Sequence, residues 1–287
     1  MAAMASSFPD LSDGLDQGLA ALGLDLPAPA RRQLLDYLAL LAHWNRRINL
    51  TAVREPREML VRHLLDSLAV LPHLRGSRIA DLGAGPGLPG IPLAIAGPGL
   101  DVTLVDSNGK MARFQREAVR QLGLAGRCHP VQARVEAYDP GPERRFDTVL
   151  SRAYAPLDRF VASSRHLLAA GGRWLALKGR RPDAEIAALP PDIRVEAVQP
   201  LAVPGLAGQR HAIIMAGPSW YPCLAGPSGT IIYSSNNVFN KPSSAGDPPV
   251  VSRSITTKVV SQRAVPRSSK LRCTPPPWRT CVRLSRV

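Results

Sequence analysis

The stretch "DLGAGPGLPGIPLAI", residues 81–95, carries Gly83, Gly85, Gly87 and Gly90, opens on Asp81 and closes on an apolar run. Glycines placed between a strand and a helix let the backbone turn sharply and approach a ligand, with the helix's first amides facing the ligand's polar end. Gly85, Gly87 and Gly90 keep the G-x-G-x-x-G spacing of a dinucleotide site, and Asp106, about 20 residues on, could take ribose hydroxyls. A nicotinamide dinucleotide is therefore one candidate ligand. Three features favour S-adenosylmethionine instead. Asp81 precedes Gly83 by two, giving D-x-G-x-G-x-G; Pro89 and Pro92 flank Gly90, so the helix starts late; and Glu136 in "RVE" follows a third strand, where it can stand beside an adenine. Gly83, Gly85, Gly87 and Asp106 are the cofactor-binding candidates that the spacing supplies.

The ends of the fourth and fifth strands constrain the methyl acceptor. An exocyclic amine calls for an Asn/Asp-Pro-Pro-aromatic loop after the fourth strand, where this chain reads Ser151-Arg152-Ala153. Attack on cytosine C5 needs a cysteine nucleophile in that region, but Cys128 lies before the third strand and reads as a small buried residue. A ribose 2′-hydroxyl needs a lysine partnered by acids; Lys178 is present, but Arg152 stands where an acid would help. A nitrogen with a free lone pair, such as guanine N7, needs no base, and catalysis then reduces to alignment. Arg152 and Lys178, both at strand ends, are the catalytic candidates for that task.

The surrounding elements follow from periodicity. "RRQLLDYLALLAHWNRRI" and "PREMLVRHLLDSLAVL" repeat apolar residues at helical spacing and form a helical cap over residues 1–75. Within the second, Arg62, His63 and Asp66 are expected to make a polar contact between cap and sheet, with Asn49 capping or orienting the segment. From residue 78 short apolar strands alternate with helices: "RIADLG", "DVTLVDS", "HPVQARV", "FDTVLSRA" and "RWLALKG" are strands, with Gly171-Gly172 stopping the helix before the last of them. "IRVEAVQPL" and "RHAIIMA" follow with no helix between them, which implies one antiparallel edge. The expected fold is α/β: a Rossmann-like class I methyltransferase sheet, mostly parallel with one antiparallel edge strand, over residues 76–217. Arg210 and His211 at that edge suit either RNA phosphate or solvent.

Composition separates the chain into two parts. Residues 218–287 hold ten Lys or Arg against the single acid Asp247, while residues 1–217 hold 26 basic and 21 acidic residues. Most of the net charge of +14 thus sits in the last quarter, where "NKPSSAGDPPVVSRS" and "RCTPPPWRT" show no sustained periodicity. That stretch is expected to be a disordered basic tail, either an RNA-contacting arm or a read-through extension of a GC-rich gene. Cys128 is the only cysteine before it, which argues against a disulfide framework and for a reducing cytoplasm; no cysteine spacing matches a zinc site, so no metal is expected. No run of about 18 apolar residues offers a membrane span, and no exposed apolar seam argues for more than a monomer.

Six segments in order, "NLTAVREPREMLVRHLLDSL", "DLGAGPGLPGIPL", "TLVDS", "RFDTVLSRA", "ALKG" and "QRHAIIM", resemble the RsmG family, also called glucose-inhibited division protein B. The resemblance runs from about residue 31 to 216. It implies a bacterial 16S rRNA guanine-N7 methyltransferase that uses S-adenosylmethionine, with a guanosine in a small-subunit hairpin loop as its target. It also implies that Gly83, Leu88, Val135, Glu136 and Arg152 contact the donor.

Overall fold

A computed structural model describes residues 11–217 and the backbone of three further strands, 220–223, 231–237 and 254–260. Helix α1 (Leu11–Ala21), which periodicity did not single out, buries Leu11, Leu15 and Leu19 against the cap. Helix α2 (Ala28–Ile48) ends at Asn49, which takes the left-handed conformation at φ 47° and so turns the chain. Asn45, buried in its last turn, accepts the backbone N–H groups of Leu50 (2.7 Å) and Thr51 (2.9 Å) and fixes the exit.

Helix α3 (Pro56–Met59) starts with Pro56 in its first turn and Glu55 as a cap accepting the N–H of Glu58 at 2.6 Å. It runs directly into a π-helical turn (Leu60–Leu65) and then α4 (Asp66–Leu68). Such π turns widen a helix locally and recur at functional sites. Here the turn carries Arg62 and His63 and ends at Asp66.

The central sheet holds seven strands in the order β3-β2-β1-β4-β5-β7-β6. They are β1 (Arg78–Leu82), β2 (Asp101–Asp106), β3 (Cys128–Gln132), β4 (Phe146–Arg152), β5 (Leu168–Lys178), β6 (Arg194–Pro200) and β7 (His211–Ala216). Strands β1 to β5 pair in parallel; β7 runs antiparallel between β5 and β6, so the antiparallel pairing lies at that edge of the sheet. Helices α5 (Gly90–Ala96), α6 (Gly109–Gln121), α7 (Leu157–Ser164) and α8 (Asp183–Ala187) fill the crossovers.

Period-two alternation sorts side chains to the two faces. Ile79, Leu150, Leu175 and Leu177 join the cap helices and α5 and α6 in one core, whereas Ala80, Leu82, Val149, Trp174 and Ala176 join α7 in the other. Gly171 and Gly172 do not stop a helix: α7 ends at Ser164, and both glycines lie inside β5, where the pairing with β4 shifts register and Gly171 takes φ +72°.

The chain divides into two compact units, Met1–Trp220 and Tyr221–Val287. Strands β8 (Trp220–Cys223), β9 (Ile231–Asn237) and β10 (Ser254–Val260) form a three-stranded sheet, with β9 and β10 antiparallel from Ile231↔Val260 to Asn237↔Ser254. These strands depart from the expected absence of regular structure after residue 217. The β-branched runs in "IIY" and "SITTKVV" are strand formers that the segment's average composition hides. The rest of the 218–287 reading falls outside the described residues.

Candidate active site

The glycine run leaves β1 at its carboxyl end and returns as α5. Gly83, Gly85 and Gly87 all take positive φ (64°, 55° and 92°), conformations that side chains rarely adopt. Two carboxylates fix the loop from below. Asp106, at the end of β2, accepts the Gly85 N–H on Oδ2 and the Asn108 N–H on Oδ1, both at 2.8 Å. Asp81 accepts the Gly90 N–H at 2.8 Å at the start of α5; it is fully buried, and its Oδ1 has no partner. Burial pushes the Asp81 carboxyl up to about 7.

The loop's carbonyls are held from the helices. Gln115 Nε2 on α6 donates to Gly85 O (2.7 Å), and the Tyr37 hydroxyl on α2 donates to Pro86 O (2.9 Å). Sequence reasoning missed both; a glutamine between Phe114 and Ala118 on the buried face of α6 was the available signal.

Above the loop opens a cleft of about 500 Å³, lined by Gly83, Gly85 and Leu88 from the glycine run, by Arg152 and Lys178 from the ends of β4 and β5, and by Arg62, His63, Asp66 and Arg210. Binding outside the carboxyl ends of an open parallel sheet is the general rule for such folds. Gly87, Asp106, Val135 and Glu136 are not among its lining residues. Asp106 is bonded to the loop itself; buried Val135 and exposed Glu136 form a 3₁₀ turn after β3, a strand whose following Ala133 N–H bonds to Asp106 O at 3.1 Å.

The cationic wall is tied to one acid. Asp66 Oδ2 lies 3.4 Å from Arg152 Nη1, and Asp66 Oδ1 accepts from Arg210 Nε at 2.9 Å. Arg152 Nη1 also donates to Arg62 O at 3.0 Å. The expected contact between cap and sheet is thus carried by Asp66. His63 pairs elsewhere, its Nε2 lying 3.0 Å from Thr51 Oγ1, and burial together with the Arg152 charge drives its pKa down to about 4. His211 Nδ1 lies 3.0 Å from Gly179 O.

Lys178 lines the cleft, but its ammonium is engaged: Nζ donates to Glu185 Oε2 (2.7 Å) and Ala155 O (3.2 Å), while the same Glu185 oxygen accepts the Leu157 N–H (2.8 Å). Cys128 is buried at the start of β3 with its thiol pushed up to about 12, far from what a nucleophile needs. Among the described residues no group of three or more His, Cys, Asp or Glu side chains is placed to hold a metal.

A family model described as rRNA small subunit methyltransferase G matches residues 30–214. The chain belongs to that family. A ribosomal RNA small subunit methyltransferase G of Stenotrophomonas maltophilia is 56% identical over 204 residues, covering 71% of this chain and 94% of the relative. Those of Alkalilimnicola ehrlichii and Serratia proteamaculans are 52% and 51% identical over 209 and 202 residues, covering 73% and 70% of this chain and 94% and 97% of their own. Among solved structures, a glycopeptide N-methyltransferase in complex with S-adenosyl-L-methionine aligns with a TM-score of 0.48 at 16% identity, over 54% of this chain and 87% of its own.

Family membership removes support for the nicotinamide reading. The local geometry agrees: Gly90 is the first residue of α5, capped by Asp81, and not a packing glycine inside a helix as the third dinucleotide glycine is. The residues also fit the methyl donor. A Cβ on Gly85 would meet nothing within 4 Å, so the loop presents bare backbone to open space. Each Asp106 oxygen accepts one N–H and keeps lone pairs for hydroxyls.

Proposed function

We propose that the protein transfers a methyl group from S-adenosylmethionine to N7 of a guanosine in 16S rRNA of the small ribosomal subunit. The donor supplies a methyl already activated on a sulfonium. Gly83, Gly85, Gly87 and Leu88 would hold it, Asp106 would accept hydroxyl hydrogen bonds, and Val135 and Glu136 would flank the adenine. Arg152 aligns acceptor and donor, and Lys178 supports that wall.

One observation carries the choice of N7: the state of each group in the cleft that could take a proton. Lys178 is paired with Glu185, Asp66 lies between two guanidiniums, and His63 is buried with a pKa of about 4. An N7 lone pair loses no proton on methylation, so a wall of engaged cations suits it. Expected in vitro is a rate with no general-base limb between about pH 6 and 9. Mass mapping of 16S rRNA from a strain lacking the gene should show one missing guanosine methylation; full methylation there would sink the assignment.

The catalytic unit spans the cap, 1–75, and the sheet domain, 76–217, and acts as a cytoplasmic monomer. In support, the family match stops at residue 214, close to the end of β7, and no helix among the described residues is long and apolar enough to cross a membrane. Deleting 218–287 is expected to change unfolding free energy by no more than about 1 kcal/mol. Loss of folding on deletion would show that the unit extends further.

A further inference from the structure

Asp66 joins three stretches of chain that sequence keeps apart. It sits where the π turn ends, 86 residues from Arg152 and 144 from Arg210, yet each of its oxygens meets one of the two guanidiniums. Its side chain is 7% exposed, whereas Arg152 and Arg210 retain 23% and 28%, and all three line the cleft. The acid is enclosed while the cations it holds remain reachable.

Two guanidiniums on one carboxylate leave a net charge of +1, the complement of one phosphodiester. Nη2 of Arg152 and of Arg210 makes no hydrogen bond to a described residue, so each guanidinium retains donors. Their other bonds, Arg152 Nη1 to Arg62 O and Arg210 Nη1 to Gln209 O, fix the planes without neutralising charge. Guanidinium forks match the two non-bridging oxygens of a phosphate, and a shared anchor holds two such forks side by side where they would otherwise repel.

We propose that Asp66 is a positioning residue that sets Arg152 and Arg210 as a two-cation seat for a phosphodiester of the RNA substrate at the mouth of the cleft. The proposal rests on the RNA methyltransferase reading above. The other anion that could reach these donors is the donor's own carboxylate, and the two sources separate by which ligand's affinity changes.

The test uses the full chain with Asp66→Asn, Arg210→Gln and the double variant, assayed on free 16S rRNA and on small subunits lacking the modification, over a range of salt. Arg210→Gln is expected to raise the KM for RNA about tenfold or more and to flatten its salt dependence by about one phosphate contact, whereas Asp66→Asn, which leaves both cations but not their anchor, is expected to raise the KM similarly without flattening the salt dependence. The Kd for S-adenosylmethionine should stay within about threefold in Arg210→Gln, and the double variant should be no worse than about twofold beyond the poorer single, because the residues act as one unit. If Asp66→Asn does not fold, Arg210→Gln, a change at a partly exposed side chain, still reads the seat. An active wild type whose RNA KM and salt slope are untouched by Arg210→Gln overturns the proposal. So does a loss confined to donor affinity, or losses in the two single variants that multiply in the double. A wild type that methylates neither RNA form overturns the functional reading itself.

Discussion

The two sides of the cleft are built by different means. On the β1–β2 side, backbone does the work: Asp106 and Asp81 take amides of the glycine run, and Gln115 and Tyr37 take its carbonyls. On the β4–β5–β7 side, charged side chains do it, with Asp66 and Glu185 each anchoring cations. A site made of backbone is set by shape and fails when a side chain intrudes. One made of charges is set by electrostatics and fails when a charge goes missing. The first suits a ligand whose form never varies, the second a polyanion approached from solvent.

The largest effect is expected from removing the Arg152 charge, to which the alignment of acceptor and donor is assigned. Arg152→Ala should lower kcat/KM on the order of 100–1000-fold, the range found when one preorganised donor is deleted from a reacting site. Thermal stability should change little in comparison, since Arg152 is partly exposed at a strand end. A loss of tenfold or less would move the alignment role elsewhere on the wall.

Gly85→Val tests the shape side and comes next. Because a Cβ there meets nothing within 4 Å, the folded chain pays only for a side chain at φ +55°, about 1–3 kcal/mol. Donor affinity should nevertheless fall roughly 100-fold, because the branched side chain occupies the space the loop leaves bare. Gly90→Val is the contrasting variant: its Cβ would collide with Leu104 Cδ2 and lie 2.9 Å from Asp81 Oδ2, so it should cost stability first. Calorimetry and thermal melts separate the two outcomes. Unchanged donor affinity in Gly85→Val would make the loop a purely structural turn.

The two sides also respond oppositely to pH. Asp81, held at about 7 by burial, keeps a proton in the folded chain that the unfolded chain has lost. It therefore makes stability fall as pH rises from 5 to 7, by about 2 kcal/mol. His63, held at about 4 by burial and Arg152, is neutral in the fold where the unfolded chain binds a proton. It makes stability fall as pH drops from about 6.5 toward 4. In the wild type these slopes largely cancel between pH 5 and 6.5. Asp81→Asn, which can still accept the Gly90 N–H, should expose the His63 slope, with urea midpoints rising with pH. His63→Asn should expose the reverse. Parallel profiles for both variants would break the assignment.

What the sequence disclosed follows the same division. The glycine side was legible because its parts are local: Asp81 and Gly90 are nine residues apart, and Gly85 and Asp106 lie on adjoining βα units. The sheet was legible too, apart from the start of β5, because strands such as β1, β2 and β4 are short, largely apolar runs between turn residues. The cation side was legible only as isolated residues. Arg152, Lys178 and Arg210 could be named from strand ends, but the acid joining two of them sits on a cap helix, where a contact from cap to sheet was expected without its partners being named. Pairings between segments that meet only in three dimensions leave no periodic trace. The π turn was hidden for a related reason: it is a backbone hydrogen-bonding pattern, and the apolar residues of this segment read as the stripe of an ordinary helix.

The smallest effect should come from Lys178, and it decides how far the electrostatic description holds. If Lys178 supports the wall through its bonds to Ala155 O and Glu185, then Lys178→Met loses one half-buried ion pair, about 1 kcal/mol. The Leu157 N–H keeps its Glu185 acceptor, so the turn after β4 should hold its course. The rate should then fall by less than about tenfold, and equally at every pH between about 6 and 9. Glu185→Gln should behave alike, because it removes the same pair from the other end. A lysine that instead took a proton from a ribose hydroxyl would give a wild-type rate climbing steeply with pH. That climb would vanish in Lys178→Met, and the loss would far exceed tenfold. Such a profile would transfer the acceptor from guanine N7 to a 2′-oxygen and make the cation side a proton-handling one.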